Sequence, residues 1–111
     1  MNRPRQSLTA TKNEFHTIQD GKECTIRQGH REIRLEPLEF FMLNDDFNLV
    51  VMVTQVVHCK VNDLPNEYVR RDEFVDKHDL VNQLRVFYPD INEETEITAI
   101  VFEPLNKVTI E

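Results

Sequence analysis

The stretch from Phe47 to Val61 constrains the fold of this chain more than any other segment. Leu49, Val50, Val51, Met52, Val53, Val56 and Val57 make it apolar, β-branched and nearly continuous. β-Branched side chains are stiff and pack well on a pleated surface. A run that does not alternate is apolar on both faces. The segment therefore reads as a central strand, long enough to be bent or bulged.

The flanking segments supply its companions. Residues 1–9 read as a flexible arm. Thr11-Lys12-Asn13-Glu14 matches a capping box, a hydroxyl residue followed three positions later by Glu. A short helix should follow, with Phe15 and Ile18 inward and Gly21 as its left-handed terminator. Glu23-Cys24-Thr25-Ile26-Arg27 alternates like a strand, and Gly29 permits a turn. Arg31 to Arg34 is a candidate return strand and Leu38 to Leu43 another, ended by the turn signal Asn44-Asp45-Asp46. Asn62-Asp63-Leu64-Pro65 reads as a loop, and residues 66–74 as a short helix or an irregular lid. Asp76 can cap a further helix whose apolar positions Leu80, Val81, Leu84, Phe87 and Tyr88 keep helical spacing, with Pro89 ending it. Glu96 to Phe102 is a closing strand. Strands with helices between them indicate an α+β domain with a strongly curved or barrel-like sheet.

At 111 residues the chain fits one domain, and the expected limits are an arm over 1–9, the domain over 10–106 and a tail over 107–111. No apolar run approaches the roughly 20 residues that span a bilayer, and the N-terminus lacks the apolar stretch of a signal peptide. A cytoplasmic, membrane-free protein with reduced Cys24 and Cys59 is the expectation. The net charge of −7 disfavours strong non-specific nucleic-acid binding. The charge is uneven, however. Residues 1–34 hold seven Lys/Arg against four Asp/Glu, and the remainder six against sixteen. Either the clustering is incidental on an acidic surface, or a local basic pocket suits a small anionic or polar ligand.

The order of these features is similar to the ASCH domain, a relative of the PUA RNA-binding fold. A short helix ends in Gly21, Lys22 and Thr25-Ile26-Arg27 follow, and then come the valine-rich strand and an acidic loop with Glu73. A helix then ends in Phe87-Tyr88-Pro89 before the closing Ile100-Val101-Phe102-Glu103. The resemblance spans roughly residues 12–104. It is nearest to the small single-domain bacterial ASCH proteins that act as N4-acetylcytidine amidohydrolases. It implies a small PUA-like β-barrel of about five to six strands with two to three flanking helices, and a cleft lined by the Lys-Thr-Arg segment. It also implies a cytidine-like substrate and a catalytic Lys, Thr and Glu, matched here by Lys22, Thr25 and, by counting back from Tyr88-Pro89, Glu73, with Asp72 adjacent. Three departures stand out. Lys22 follows Gly21 with no intervening residue, Glu23 replaces a usual Thr, and Glu36-Pro37 stands where a Gly-Asp turn is usual.

Amide hydrolysis needs a nucleophile, a base to activate it and an acid for the leaving amine. On the resemblance, Thr25 is the nucleophile, Lys22 the base and Glu73 the acid. Arg27 and Glu23 are substrate-binding candidates, with Arg27 on the carbonyl or oxyanion. Lys22 can serve as base only when neutral, which burial and a nearby Arg27 would favour. Thr25 and Arg27 share a strand face, so Lys22 can join them only from the turn after Gly21. The bland readings are a dipole-answering helix lysine for Lys22, an ordinary strand residue for Thr25, and a surface ion pair for Arg27 and Glu73. Cys24, His30, His58 and Cys59 lack metal-ligand spacing, and neither metal nor cofactor is expected. Phe40, Phe41 and Phe47 read as core. The expected partner is a small-molecule nucleoside, with RNA as an alternative, and the protein is expected to be a monomer. The other function classes left open are a non-catalytic module for RNA or a modified nucleobase, and a small protein-interaction factor.

Overall fold

The computed structural model describes residues 4–42 and 48–105. Along the chain run β1 (Gln6–Thr9), α1 (Lys12–Gln19), β2 (Cys24–Gln28), β3 (Pro37–Phe41), β4 (Asn48–Lys60), α2 (Asn66–Arg71), α3 (Lys77–Leu84) and β5 (Glu96–Pro104). The strands form one sheet in the order β1-β3-β4-β5-β2. The valine-rich segment is its middle strand, as its composition requires. β4 pairs antiparallel with β3 through its first half and with β5 along most of its length. A register shift between Val53 and Gln55 supplies the bulge that so long a strand needs to curl.

The two sheet faces carry separate cores. On one, Phe15 and Ile18 of α1 pack on Leu8, Leu38, Phe40, Val51, Ile100 and Phe102. On the other, Tyr68, Val69, Leu80, Val81 and Leu84 of α2 and α3 pack on Cys24, Ile26, Ile97, Ala99 and Val101. The alternation of β5 assigns Ile97, Ala99 and Val101 to the second core and Ile100 and Phe102 to the first. The sheet is a curled half-barrel, consistent with a small α+β PUA-like fold. It does not close by strand pairing, but its two outer strands are tied by one side chain, because Arg27 Nη1 of β2 donates to the Thr9 carbonyl of β1 at 2.9 Å.

Three expectations are corrected. Within the expected arm over residues 1–9, Gln6–Thr9 forms β1, which pairs parallel with β3 and buries Leu8. Arg31 to Arg34 is not a strand. The partner of β2 is β5, and Gly29 at φ +89° turns the chain away from the sheet. There the Gln6 amide accepts from Arg34 N at 2.9 Å and donates to the Arg34 carbonyl at 2.8 Å, replacing a ladder. α3 starts where its Asp76 cap predicts, with Oδ1 accepting from Asp79 N at 2.8 Å, but it stops at Leu84 rather than reaching Tyr88. Val86 and Phe87 then lie exposed in tight turns instead of extending an apolar helix face. The Asn44-Asp45-Asp46 turn and Phe47 lie outside the described residues.

Candidate functional site

The site forms where two helix ends meet the outer edge of β2. α1 ends in a Schellman motif. Gly21 adopts φ +118°, its N–H donates to the Ile18 carbonyl at 3.1 Å, and Lys22 N–H donates to the Thr17 carbonyl at 3.0 Å. The immediate Gly21-Lys22 succession therefore makes Lys22 the second residue past the helix cap, in the turn before β2. From that turn Lys22 escapes strand alternation and joins the Thr25 and Arg27 face. α2 ends in the same motif without glycine. Glu73 adopts φ +67°, Glu73 N–H donates to the Arg70 carbonyl at 2.8 Å, and Phe74 N–H donates to the Val69 carbonyl at 3.0 Å. That termination aims the preceding residue, Asp72, inward.

Asp72 serves two partners. Its Oδ2 accepts from the Ile26 backbone N–H at 3.0 Å, so a buried carboxylate satisfies a donor on the edge strand. Its Oδ1 lies 2.6 Å from Lys22 Nζ. From α1, Glu14 Oε2 lies 3.2 Å from the same ammonium and accepts a 2.6 Å hydrogen bond from Thr25 Oγ1. Glu14 Oε1 accepts from Arg27 Nη2 at 2.9 Å, and Arg27 Nε donates to Thr25 Oγ1 at 3.2 Å. The Arg27 guanidinium also lies over the buried Phe40 ring, 5.9 Å from its centroid. Five side chains thus form one network, all largely buried. The side chains of Asp72, Lys22, Arg27 and Glu14 are 3%, 9%, 11% and 16% exposed, and Thr25 as a residue is 1% exposed.

This packing sets the proton positions. Burial opposes the charge on Lys22, but the Asp72 and Glu14 carboxylates outweigh it and hold the amine above its ordinary 10.5. Burial likewise opposes ionisation of Glu14, and the Arg27 and Lys22 charges with the Thr25 hydrogen bond outweigh it, leaving the acid below 4.5. Asp72 goes the other way. Its burial exceeds the help from Lys22, and Glu14 adds repulsion, so its carboxyl is pushed up to about 7. The expected pKa-lowering of Lys22 by Arg27 is corrected accordingly. With a carboxylate on either side, Lys22 is an ammonium in this arrangement. The expected basic pocket is also altered, because Glu14 and Asp72 stand directly against the two cations.

The network lines a cleft of about 950 Å³, bordered by Thr9 and Thr11 on one side and by Phe74, Leu84, Val86, Phe87 and Tyr88 on the other. This volume is within the range of small-molecule sites. Of the sequence candidates, Lys22, Thr25 and Arg27 come together. Glu73 lines the cleft from an exposed position, and Asp72 beside it carries the carboxylate that contacts Lys22. Glu23 is exposed and pairs with Arg71 at 3.2 Å, away from the cleft lining. Glu14 was masked by its capping-box signature. Thr11 Oγ1 does accept from Glu14 N–H at 3.1 Å, but the Glu14 carboxylate turns to Lys22, Thr25 and Arg27. Among the described residues no cluster of His, Cys, Asp and Glu can hold a metal ion. His30 and His58 instead stack at 3.9 Å, and buried Cys24 has its thiol pushed up to about 12 by burial, with the Asp72 charge adding to it.

No protein-family model and no curated protein sequence matches this chain, but solved structures do. A variant of the ASCH protein from Zymomonas mobilis superimposes with a TM-score of 0.66 at 15% identity, covering 87% of this chain and 66% of the other. The fold is that of an ASCH domain. A protein from Enterococcus faecalis V583, assigned to the family DUF984, covers 95% of the chain and 83% of its own at a TM-score of 0.64 and 8% identity. The ASCH domain from Lactobacillus crispatus JV V101 gives 0.55 at 10% identity, over 89% and 78% of the two chains. The chain thus spans about two thirds of the Zymomonas mobilis protein. Among the described residues, no helix is long and apolar enough to cross a membrane.

Proposed function

We propose that this ASCH domain is an amidohydrolase that removes the acyl group from N4-acetylcytidine or a related N-acylated nucleoside. The observation that carries the reading is the joint placement, at one cleft wall, of the Thr25 hydroxyl, the Lys22 ammonium and the Asp72 carboxyl. Thr25 Oγ1 supplies a nucleophile that already donates its proton to a carboxylate. Lys22 supplies a proton for the departing amine, and the carboxyl groups of Asp72 and Glu14 on either side of it hold its ammonium in place. Arg27 has donors beside Thr25 where charge would develop on the carbonyl oxygen. The near balance of cations and carboxylates suits an uncharged nucleoside better than a phosphate chain, which needs free Lys and Arg. The apolar rim at Phe74, Val86 and Phe87 gives a base an apolar surface.

The test is release of cytidine from N4-acetylcytidine by the purified protein, followed by chromatography. Wild-type turnover that falls about a hundredfold or more in Thr25→Ala and in Lys22→Ala supports the reading. A folded wild type that binds the nucleoside without turnover would make the domain a binding module for modified bases.

A further inference from the structure

We infer that Glu14 is the catalytic base for Thr25 and that it passes the proton through Lys22 to the leaving group. The inference rests on the hydrolase reading for its substrate, but its geometry is independent of which amide is cleaved. One oxygen, Glu14 Oε2, contacts both groups, at 2.6 Å from Thr25 Oγ1 and 3.2 Å from Lys22 Nζ. The other oxygen is held by Arg27 Nη2 at 2.9 Å, which fixes the carboxylate plane. The Glu14 backbone is held separately, since Thr11 caps its N–H. Lys22 is not placed to receive the Thr25 proton, because its ammonium is already engaged by two carboxylates.

The steps balance as follows. Thr25 Oγ1 forms a bond to the amide carbonyl carbon as its proton moves to Glu14 Oε2. The C–N bond then breaks, and the departing nitrogen takes a proton from the Lys22 ammonium. Lys22 recovers that proton from Glu14 across their 3.2 Å contact. The product left on the enzyme is an acyl ester of Thr25. Water then attacks this ester, giving its proton to the same carboxylate, which returns it to Thr25 Oγ1 as the carboxylic acid leaves.

Acylation of Thr25 by p-nitrophenyl acetate tests the Glu14 base by itself, since p-nitrophenolate departs without a proton and no nucleoside is needed. Peptide mass spectrometry should find the acetyl group on Thr25 and not in Thr25→Ala. Glu14→Gln, which keeps the capped backbone, should acylate about a hundredfold more slowly at an unchanged melting temperature. A wild type whose Thr25 is never acylated overturns the inference, and so does a folded Glu14→Gln that acylates at the wild-type rate.

If Glu14→Gln does not fold, the wild-type pH profile decides. The groups facing Glu14 are Lys22 from the turn, Thr25 and Arg27 from β2, and Asp72 from the end of α2. Glu14 ionises below 4.5 and Lys22 stays protonated past 10.5. A Glu14 base therefore gives a flat rate from about pH 6 to 9, whereas a Lys22 base gives a rise of about tenfold per unit throughout. Asp72 titrates within that range, so the profile is repeated in Asp72→Asn. Glu14-dependent acylation of Thr25 without N4-acetylcytidine turnover would support the Glu14 base and remove the proposed substrate. Turnover without acylation would do the reverse.

Discussion

β4 and β5 at the centre of the sheet meet through apolar cross-strand neighbours such as Val53 with Phe102 and Val56 with Ile100. One strand further out, β2 is just as thoroughly buried at Thr25 and Ile26, yet what meets it there includes Glu14, Lys22, Arg27 and Asp72. The two regions differ in how each contact depends on the others. In the centre, removing one side chain removes its own dispersion and transfer energy, so costs are graded and indifferent to pH. At the β2 edge each charge is tolerable only because its counter-charges are present. Removing one leaves its direct partners buried with a counter-charge missing, and the cost then follows their ionisation.

The largest expected effect tests the apolar side. Phe102→Ala removes a fully buried ring that packs edge-on to Phe40 at 5.4 Å, and should cost about 3–5 kcal/mol by urea unfolding, with the same loss at pH 5 and pH 8. Lys22→Met should come next, at about 3 kcal/mol at pH 8, because Asp72 and Glu14 lose their shared cation. Unlike the phenylalanine variant, its cost should shrink toward acid as Asp72 takes up a proton. A pH-independent Lys22→Met would erase the distinction between the two regions.

Asp72→Asn refines the comparison further. The folded-state pKa of Asp72 is raised from 3.8 to about 7, so its stabilising contribution is full below 3.8 and is lost as pH rises toward 7. Melting temperatures of the wild type should therefore fall, relative to those of Asp72→Asn, across that window. Glu14 acts with the opposite sign. Its lowered pKa contributes stability above 4.5 that disappears as pH falls through the folded value, a loss absent in Glu14→Gln.

The smallest effects concern the two helix terminations. Gly21→Ala meets no atom within 4 Å, yet φ +118° should make it about 1 kcal/mol less stable. Glu73→Gly relieves a non-glycine residue at φ +67° and should gain about 1 kcal/mol. Retained N4-acetylcytidine hydrolysis in Glu73→Gly would show that the reaction does not need the Glu73 carboxyl, whereas a loss comparable to that of Lys22→Ala would place Glu73 in the catalytic machinery.

Much of this was legible along the chain, and the gaps have a common cause. The β4 segment, the Gly21 terminator, the Asp76 cap and the inward Phe15 and Ile18 all follow from local spacing. So does the convergence of Lys22, Thr25 and Arg27, once Lys22 sits in the turn. β1 was missed because one buried Leu8 among polar neighbours carries no period, and its strand character comes from β3. Glu14 was missed because its position already had a local explanation in the capping box.

The sequence by itself determined the α+β class, the bulged central strand, the starts of α1 and α3 with the Gly21 stop, and the residue types available at the site. Periodicity and turn chemistry act over a few residues, so they can be read without knowing the fold. Only the tertiary structure decided which charges meet. Asp72 lies 46 residues from the Ile26 amide it caps, and it reaches that edge because α2 packs on the β2 side of the second core. The protonation of Lys22, and with it the division of labour among Lys22, Glu14 and Asp72, follows from burial and from ångström distances between separate elements, which a linear pattern does not encode.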